Sequence, residues 1–273
     1  MANDDRGSGR GIVSASWRQL RRDRELVWLP VLGGFLAGLA AVPVTVVALF
    51  TADDGEVWTY VMVAVGLLLT TFITTLFAVA FAAGADQRLE GGDPTLRSCL
   101  STAWSRKWAV LQWSLISVIV GLILRALREK AGPVGKVVAG LGGLAWGVGT
   151  YFVIPILAGT RTSAWSATRT SAQLMREKWG KPLRVEVRLF LYALLWLVVA
   201  VGAGVGVFFL AEVSTSAAVV VAVVAAIALV YAALVLSALG SYARVALWRY
   251  ATGRAVPGFD TARLEASVRV KGA

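Results

Sequence analysis

Residues 57–83 read VWTYVMVAVGLLLTTFITTLFAVAFAA and contain no Asp, Glu, Lys or Arg. The hydrocarbon core of a bilayer is about 30 Å thick, and an α-helix needs about 20 apolar residues to cross it. A stretch of this length and composition therefore predicts a helix that spans a membrane. The pattern recurs along the chain, so it sets the fold class.

Five other apolar stretches have a length suited to crossing a bilayer. Together with the first, the predicted spans are 28–50, 57–83, 108–127, 137–157, 187–210 and 217–239. The third has Arg125 in its last turn, where a long side chain can reach the headgroups. We predict an all-α polytopic membrane helix bundle with six transmembrane helices.

The spans belong to a single membrane domain, predicted over residues 12–252. Residues 1–11 are small and polar, which predicts a disordered cytoplasmic tail, and residues 253–273 form a cytoplasmic C-terminal tail. Six arginines precede the first span, which is longer than the apolar region of a signal peptide. We therefore expect residues 28–50 to be a retained anchor.

The composition of the whole chain is that of a membrane protein. Of its 273 residues, 58% are hydrophobic and 16% are charged, against about 45–50% and about 25% in a soluble domain. The mean hydropathy is +0.71. These values argue against a cytosolic enzyme, and a single cysteine, Cys99, argues against a disulfide-rich secreted domain.

Positive charge is distributed unevenly between the two sides of the predicted topology. The net charge is +11, and 23 of the 27 Lys and Arg residues lie in the termini and the even-numbered loops. The other four are Arg125, Arg128, Lys130 and Lys136, between spans three and four. Lys and Arg concentrate on the cytoplasmic side, so we predict a plasma (inner) membrane protein with both termini in the cytoplasm.

A basic segment with apolar residues at helical spacing precedes each odd-numbered span. The one before the third span is predicted to begin at Asp93-Pro94, with Asp93 as N-cap. The one before the fifth has an apolar stripe at Trp165, Thr168, Ala172, Met175 and Trp179. Such helices lie along anionic headgroups, and the candidate lipid contacts are Trp17, Arg21, Arg22, Trp165, Arg169, Arg176 and Trp179. The alternative is that they are ordinary helices packed on the bundle.

The most polar stretch at membrane depth is in the second span. Its hydroxyls belong to Thr70, Thr71, Thr74 and Thr75. They are a candidate polar lining for a pore or substrate site, and the alternative is that they form hydrogen bonds within the helix bundle.

Three further features concern helix packing. Gly34 and Gly38, like Gly143 and Gly147, have the spacing that permits close helix approach. Pro155 lies within the fourth span and predicts a break or kink there, because proline lacks the N–H of the helical hydrogen bond.

Carboxylates next to arginines occur at the predicted inner ends of the spans. The candidate inner-rim ion pairs are formed by Asp86, Arg88, Glu186 and Arg188. An exposed pair contributes about 0–1 kcal/mol, so their expected role is to fix topology.

The sequence lacks the residues of the common catalytic centres. It contains no histidine, which excludes a Ser-His-Asp triad and a His-based zinc site. No Asp or Glu lies in the middle of a predicted span. We therefore predict a protein that is not an enzyme, with no catalytic residue, no cofactor and no metal site.

Three stretches together resemble a family of uncharacterised prokaryotic six-helix membrane proteins, a domain of unknown function. They are SWRQLRRDRELVWLP at 16–30, Ile154-Pro155 with the following helix, and RVALWRYATG at 244–253 with VPGF at 256–259. More distantly, the pattern is similar to membrane domains attached to glycerophosphodiesterases. The resemblance implies the six-span topology and no activity.

The leading functional hypothesis is a non-enzymatic membrane-organising or accessory component. Its basic helices would bind anionic lipid of the inner leaflet, a protein partner or a second copy of the chain, and no nucleic acid. The alternative hypothesis is a transporter of a small molecule or lipid, with its site near Thr71 and Thr75.

Overall fold

A computed structural model describes residues 24–51, 57–178 and 214–257, with isolated positions between 192 and 207. Within these residues the regular secondary structure is entirely helical, which confirms the predicted all-α class. The helices are α1 (Arg24–Thr51), α2 (Val57–Leu89), α3 (Leu96–Ser105), α4 (Lys107–Lys130), α5 (Gly132–Gly149), α6 (Val153–Gly159), α7 (Ala164–Lys178) and α8 (Thr215–Ala251).

Five stretches of helix are long and apolar enough to cross a membrane. They are Trp28–Val47, Trp58–Leu89, Lys107–Lys130, Gly132–Gly159 and Thr215–Ala251. Each overlaps a predicted span. The predicted span 187–210, the tail 1–11 and most of the tail 253–273 lie outside the described residues, so the number six remains a prediction.

The longest helix, α8, shows why these sequences are helical. It is rich in Val and Ala, and valine favours strands in water. In lipid, every backbone N–H and C=O needs a partner within its own segment, and an α-helix supplies them all. Ser214 starts the helix as N-cap, its hydroxyl accepting a hydrogen bond from the Ala217 N–H at 3.4 Å.

The α1–α2 hairpin is held together at glycines, but not at the predicted pair. A Cβ at Gly33 would lie 2.6 Å from the Cβ of Phe77, and one at Gly66 would collide with Val44. Among the described residues, no atom lies within 4 Å of such a Cβ at Gly34 or Gly38. Between the described helices, α1 therefore makes its close approach at Gly33 and not at Gly34 or Gly38.

The second predicted pair of glycines makes no close approach to the described helices. Among the described residues, a Cβ at Gly147 would meet nothing within 4 Å, and one at Gly143 would make only an ordinary contact of 3.9 Å with Leu124.

Adjacent glycines on α1 provide a matched pair of substitutions. We expect Gly33→Ala to lower the free energy of unfolding by about 1–3 kcal/mol, because the new methyl group overpacks against Phe77. Gly34→Ala meets open space, so it should be neutral or stabilise the helix by up to about 1 kcal/mol. Unfolding of the purified protein in mixed detergent micelles measures both. Equal effects of the two substitutions would contradict the packing described.

Predicted span four is two helices rather than one. α5 ends at Gly149 and α6 starts at Val153, and Pro155 cannot donate to the Tyr151 carbonyl. The Phe152 N–H leaves the helical pattern and donates instead to the buried Ser171 hydroxyl of α7 at 3.0 Å. The predicted break near Pro155 is confirmed, and Ser171 of α7 accepts a hydrogen bond from the backbone at this break.

Buried side chains are concentrated at one end of the bundle. This end, which we call the base, comprises residues 24–30, 79–107, 150–178 and 238–257. Its largest fully buried side chains include Tyr242, Phe81, Phe152, Leu26 and Leu157. Elsewhere the helices bury little: in each of the five described spans, at most 17% of the residues of the most apolar stretch are buried. The apolar surface above the base is therefore available to lipid.

The opposite end, which we call the far end, contains the tight turn between α4 and α5. Gly132 has a φ of +58°, a conformation that favours glycine. Arg125 and Glu129 form an exposed ion pair of 2.7 Å there.

Candidate functional site

The base collects most of the described positive charge. Four cationic residues lie at the far end, namely Arg125, Arg128, Lys130 and Lys136, and every other described Lys and Arg lies at the base. The helices alternate in direction, so the other connections that carry Lys and Arg return to the base. The base is therefore the candidate functional site.

A buried ion-pair network joins the end of α2 to the end of α8. Arg249 is buried, and its Nη1 lies 2.5 Å from Asp86 Oδ1 and 3.2 Å from Glu90 Oε1. Its Nε donates to the Ala255 carbonyl at 3.0 Å. Arg254 adds a longer contact of 3.9 Å to Asp86 Oδ2. One guanidinium thus fixes α2, α8 and the segment that follows α8.

The candidate rim residues form ion pairs with partners other than the ones that their sequence order predicts. Asp86 pairs with Arg249, while Arg88 pairs with Asp93 at 2.9 Å. Glu186 and Arg188 lie outside the described residues. Sequence reasoning missed Arg249 as a partner, although an arginine in the otherwise apolar stretch VALWRY was a usable signal.

The predicted start of the basic segment before the third span is two residues early. α3 begins at Leu96, and its N-cap is Thr95, whose hydroxyl accepts from the Ser98 N–H at 3.2 Å. Asp93 is not the cap, because its carboxylate pairs with Arg88. Glu25 of α1 also accepts from the Leu96 N–H, at 3.4 Å, so the start of α3 is tied to α1.

Arg106 connects the elbow between α3 and α4 to the end of α6. Its Nη1 donates to the carbonyl oxygens of Leu157, at 2.5 Å, and Ala158. These are among the last carbonyls of α6, which have no helical partner of their own. Burial, and then the positive charge of Arg161, lower the pKa of Arg106 from its ordinary value.

Next to Arg106, a lysine lies between two indole rings. Lys107 Nζ is 5.1 Å from the ring centroid of Trp104 and 6.0 Å from that of Trp108. The two tryptophans are 55% and 69% exposed. We call these three residues the α3–α4 corner.

α7 has one face against the bundle and one face outward. Its buried residues are Ala164, Ala167, Ser171 and Met175. Trp165 is 72% exposed, and Arg169 and Arg176 are exposed as well. Small residues, Ala164, Ala167 and Ser171, make most of the contact with the bundle, so Trp165 of the predicted stripe lies on the outward face, whereas Met175 of that stripe is buried. The other candidate contacts, Trp17, Arg21, Arg22 and Trp179, lie outside the described residues.

The threonines of α2 make local hydrogen bonds. Thr71 Oγ1 donates to the Leu67 carbonyl at 2.7 Å, and Thr74 Oγ1 donates to that of Thr70 at 3.0 Å. Thr75 is buried. Thr74 lines a groove of about 360 Å³ between α1, α2 and α8, with largely apolar neighbours such as Phe77, Val230 and Leu234.

The base has a single cysteine thiol, that of Cys99, and it is not activated as a nucleophile. Burial raises the pKa of the Cys99 thiol, which keeps it protonated and weakly nucleophilic. Over the part of the chain that the structure describes, no group of three His, Cys, Asp or Glu residues could hold a metal ion.

Apolar helices of this length, with a charged base at one end, define a polytopic helical membrane protein. The chain belongs to a family of unknown function, DUF6159, whose model matches residues 57–258. The predicted resemblance to an uncharacterised family is confirmed. No curated protein and no solved structure matches the chain, so the similarity to glycerophosphodiesterase-associated domains is not supported.

Proposed function

We propose that this protein is a non-enzymatic, multi-pass component of the plasma membrane whose base binds the anionic lipids of the inner leaflet. Both termini then lie in the cytoplasm, since the base carries the excess of Lys and Arg. The observation that carries the proposal is the exposure of Trp104, Trp108 and Trp165 among the cations of the base. In water such indoles would be an unfavourable surface, whereas the headgroup region suits an aromatic ring with a polar N–H.

Electrostatics gives this surface its lipid preference. Each Lys or Arg near an anionic leaflet contributes about 1 kcal/mol of attraction. Arg169 and Arg176 are exposed on α7, and Arg161 precedes it. A second copy of the chain or another membrane protein could add to this surface, whereas nothing in the sequence has the form of a nucleic-acid-binding motif.

The base carboxylates support a structural role over catalysis. Asp86 and Glu90 both contact Arg249, so neither is poised as a general acid or base. Transport is less well supported than lipid binding, because the hydroxyls of Thr71 and Thr74 donate to carbonyls of α2 itself.

The test is the thermal stability of the full chain in nanodiscs. We expect a higher Tm with a phosphatidylcholine–phosphatidylglycerol mixture than with phosphatidylcholine alone, because anionic headgroups bind the folded base. Raising the salt concentration to about 0.5 M should remove most of the difference by screening exposed charges. An equal Tm in both lipids at low salt would contradict the proposal.

A further inference from the structure

The α3–α4 corner is positioned where a membrane-spanning helix enters the bilayer. Lys107 is the first residue of the span Lys107–Lys130, and its ammonium lies within about 6 Å of both indole rings. Trp104 and Trp108 are both mostly exposed. An aromatic pair around a cation at this point has the composition of a headgroup contact.

An exposed cation, Arg161, lies near the corner. Arg106 binds the carbonyls of Leu157 and Ala158, which brings the corner against the turn that leads to exposed Arg161. After burial, the charge of Arg161 is the next cause that lowers the pKa of Arg106, and Asp86 acts in the opposite direction, so Arg161 lies near Arg106. Within the described chain, neither Lys107 nor Arg161 has a carboxylate at ion-pair distance. These two cations are therefore available to a negatively charged ligand.

We propose that the α3–α4 corner and Arg161 form a binding site for the phosphate-containing headgroup of an anionic phospholipid. Lys107 and Arg161 bind the phosphate, and the two indoles lie at the boundary between headgroup and acyl chains. The exposed indoles favour a lipid over free phosphate, which needs no apolar contact. The inference rests on the proposed function, and it assigns the binding of anionic lipid to four residues, the three of the α3–α4 corner and Arg161.

The experiment measures phosphatidylglycerol bound to the delipidated full chain by native mass spectrometry. We expect Lys107→Gln with Arg161→Gln to weaken binding about tenfold or more, since two cations are lost. The matched control is Lys130→Gln with Lys136→Gln, two cations of the far end, which should leave binding unchanged. Arg161→Gln alone, at an exposed position, should give a smaller loss and covers the case in which the double variant does not fold.

Each outcome separates this site from the wider proposal. If the wild type prefers phosphatidylglycerol to phosphatidylcholine and Lys107→Gln with Arg161→Gln loses most of that preference, or Arg161→Gln alone loses part of it, the site is supported. If both variants keep the wild-type preference, the site is wrong while the proposed function stands. If the wild type has no preference, the proposed function fails and the site with it. Displacement of the lipid by millimolar inorganic phosphate would overturn the assignment to a lipid.

Discussion

Arg249→Ala should lower the free energy of unfolding by about 3–5 kcal/mol, because it leaves the largely buried carboxylate of Asp86 without its partner. The removed guanidinium also contacts Glu90 and the Ala255 carbonyl, so α2, α8 and the following segment lose their common contact. Unfolding of the purified protein in mixed micelles, followed by circular dichroism, measures the loss.

Arg254→Ala is the matched control for this substitution. Arg254 is 39% exposed and lies 3.9 Å from Asp86, so its loss should cost no more than about 1 kcal/mol. The double variant Asp86→Asn with Arg249→Gln removes both charges and should recover part of the stability lost in Arg249→Ala. If Arg249→Ala and Arg254→Ala cost the same, the buried network does not hold the base together.

Arg106→Ala should lower the free energy of unfolding by about 2–4 kcal/mol, because two carbonyl oxygens at the end of α6 lose a charged donor. Arg106→Lys should retain part of the stability, since an ammonium can reach one carbonyl but lacks the planar fork of a guanidinium.

Arg97→Ala, at an exposed position of α3, is the control for Arg106 and should change stability by less than about 0.5 kcal/mol. The same unfolding assay applies. An Arg106→Ala protein as stable as the Arg97→Ala protein would show that the α3–α4 elbow is not anchored to α6 by this side chain.

Five of the six predicted spans agree with described helices, because the length and apolar character of a span depend on the local sequence alone. The length and composition of residues 57–83 are enough to predict a span. The corresponding helix starts at the same residue, Val57, and continues six residues further, to Leu89 at the base. The break in span four was also predictable, since Pro155 removes a backbone donor whatever its surroundings. That Ser171 would accept the Phe152 N–H was not predictable, because it depends on where α7 docks.

Contacts between helices were predicted less well. The sequence placed Asp86 with Arg88, two residues away, whereas the structure pairs it with Arg249, 163 residues away. Similarly, the contacting glycine of α1 is Gly33 and not Gly34. Successive residues of a helix point about 100° apart. When the helix is apolar on every side, its sequence does not indicate which face contacts another helix.

The amino-acid sequence by itself determined that this protein is an all-helical membrane protein and which stretches are long and apolar enough to cross the bilayer. It did so because a backbone in lipid must satisfy its hydrogen bonds within each apolar segment. Only the tertiary structure decided that α2 and α8 meet through Arg249, that Arg106 caps α6, and that Lys107 lies between two exposed indoles. Those contacts depend on which helices are neighbours and how each is rotated, and a uniformly apolar helix surface does not encode that choice locally.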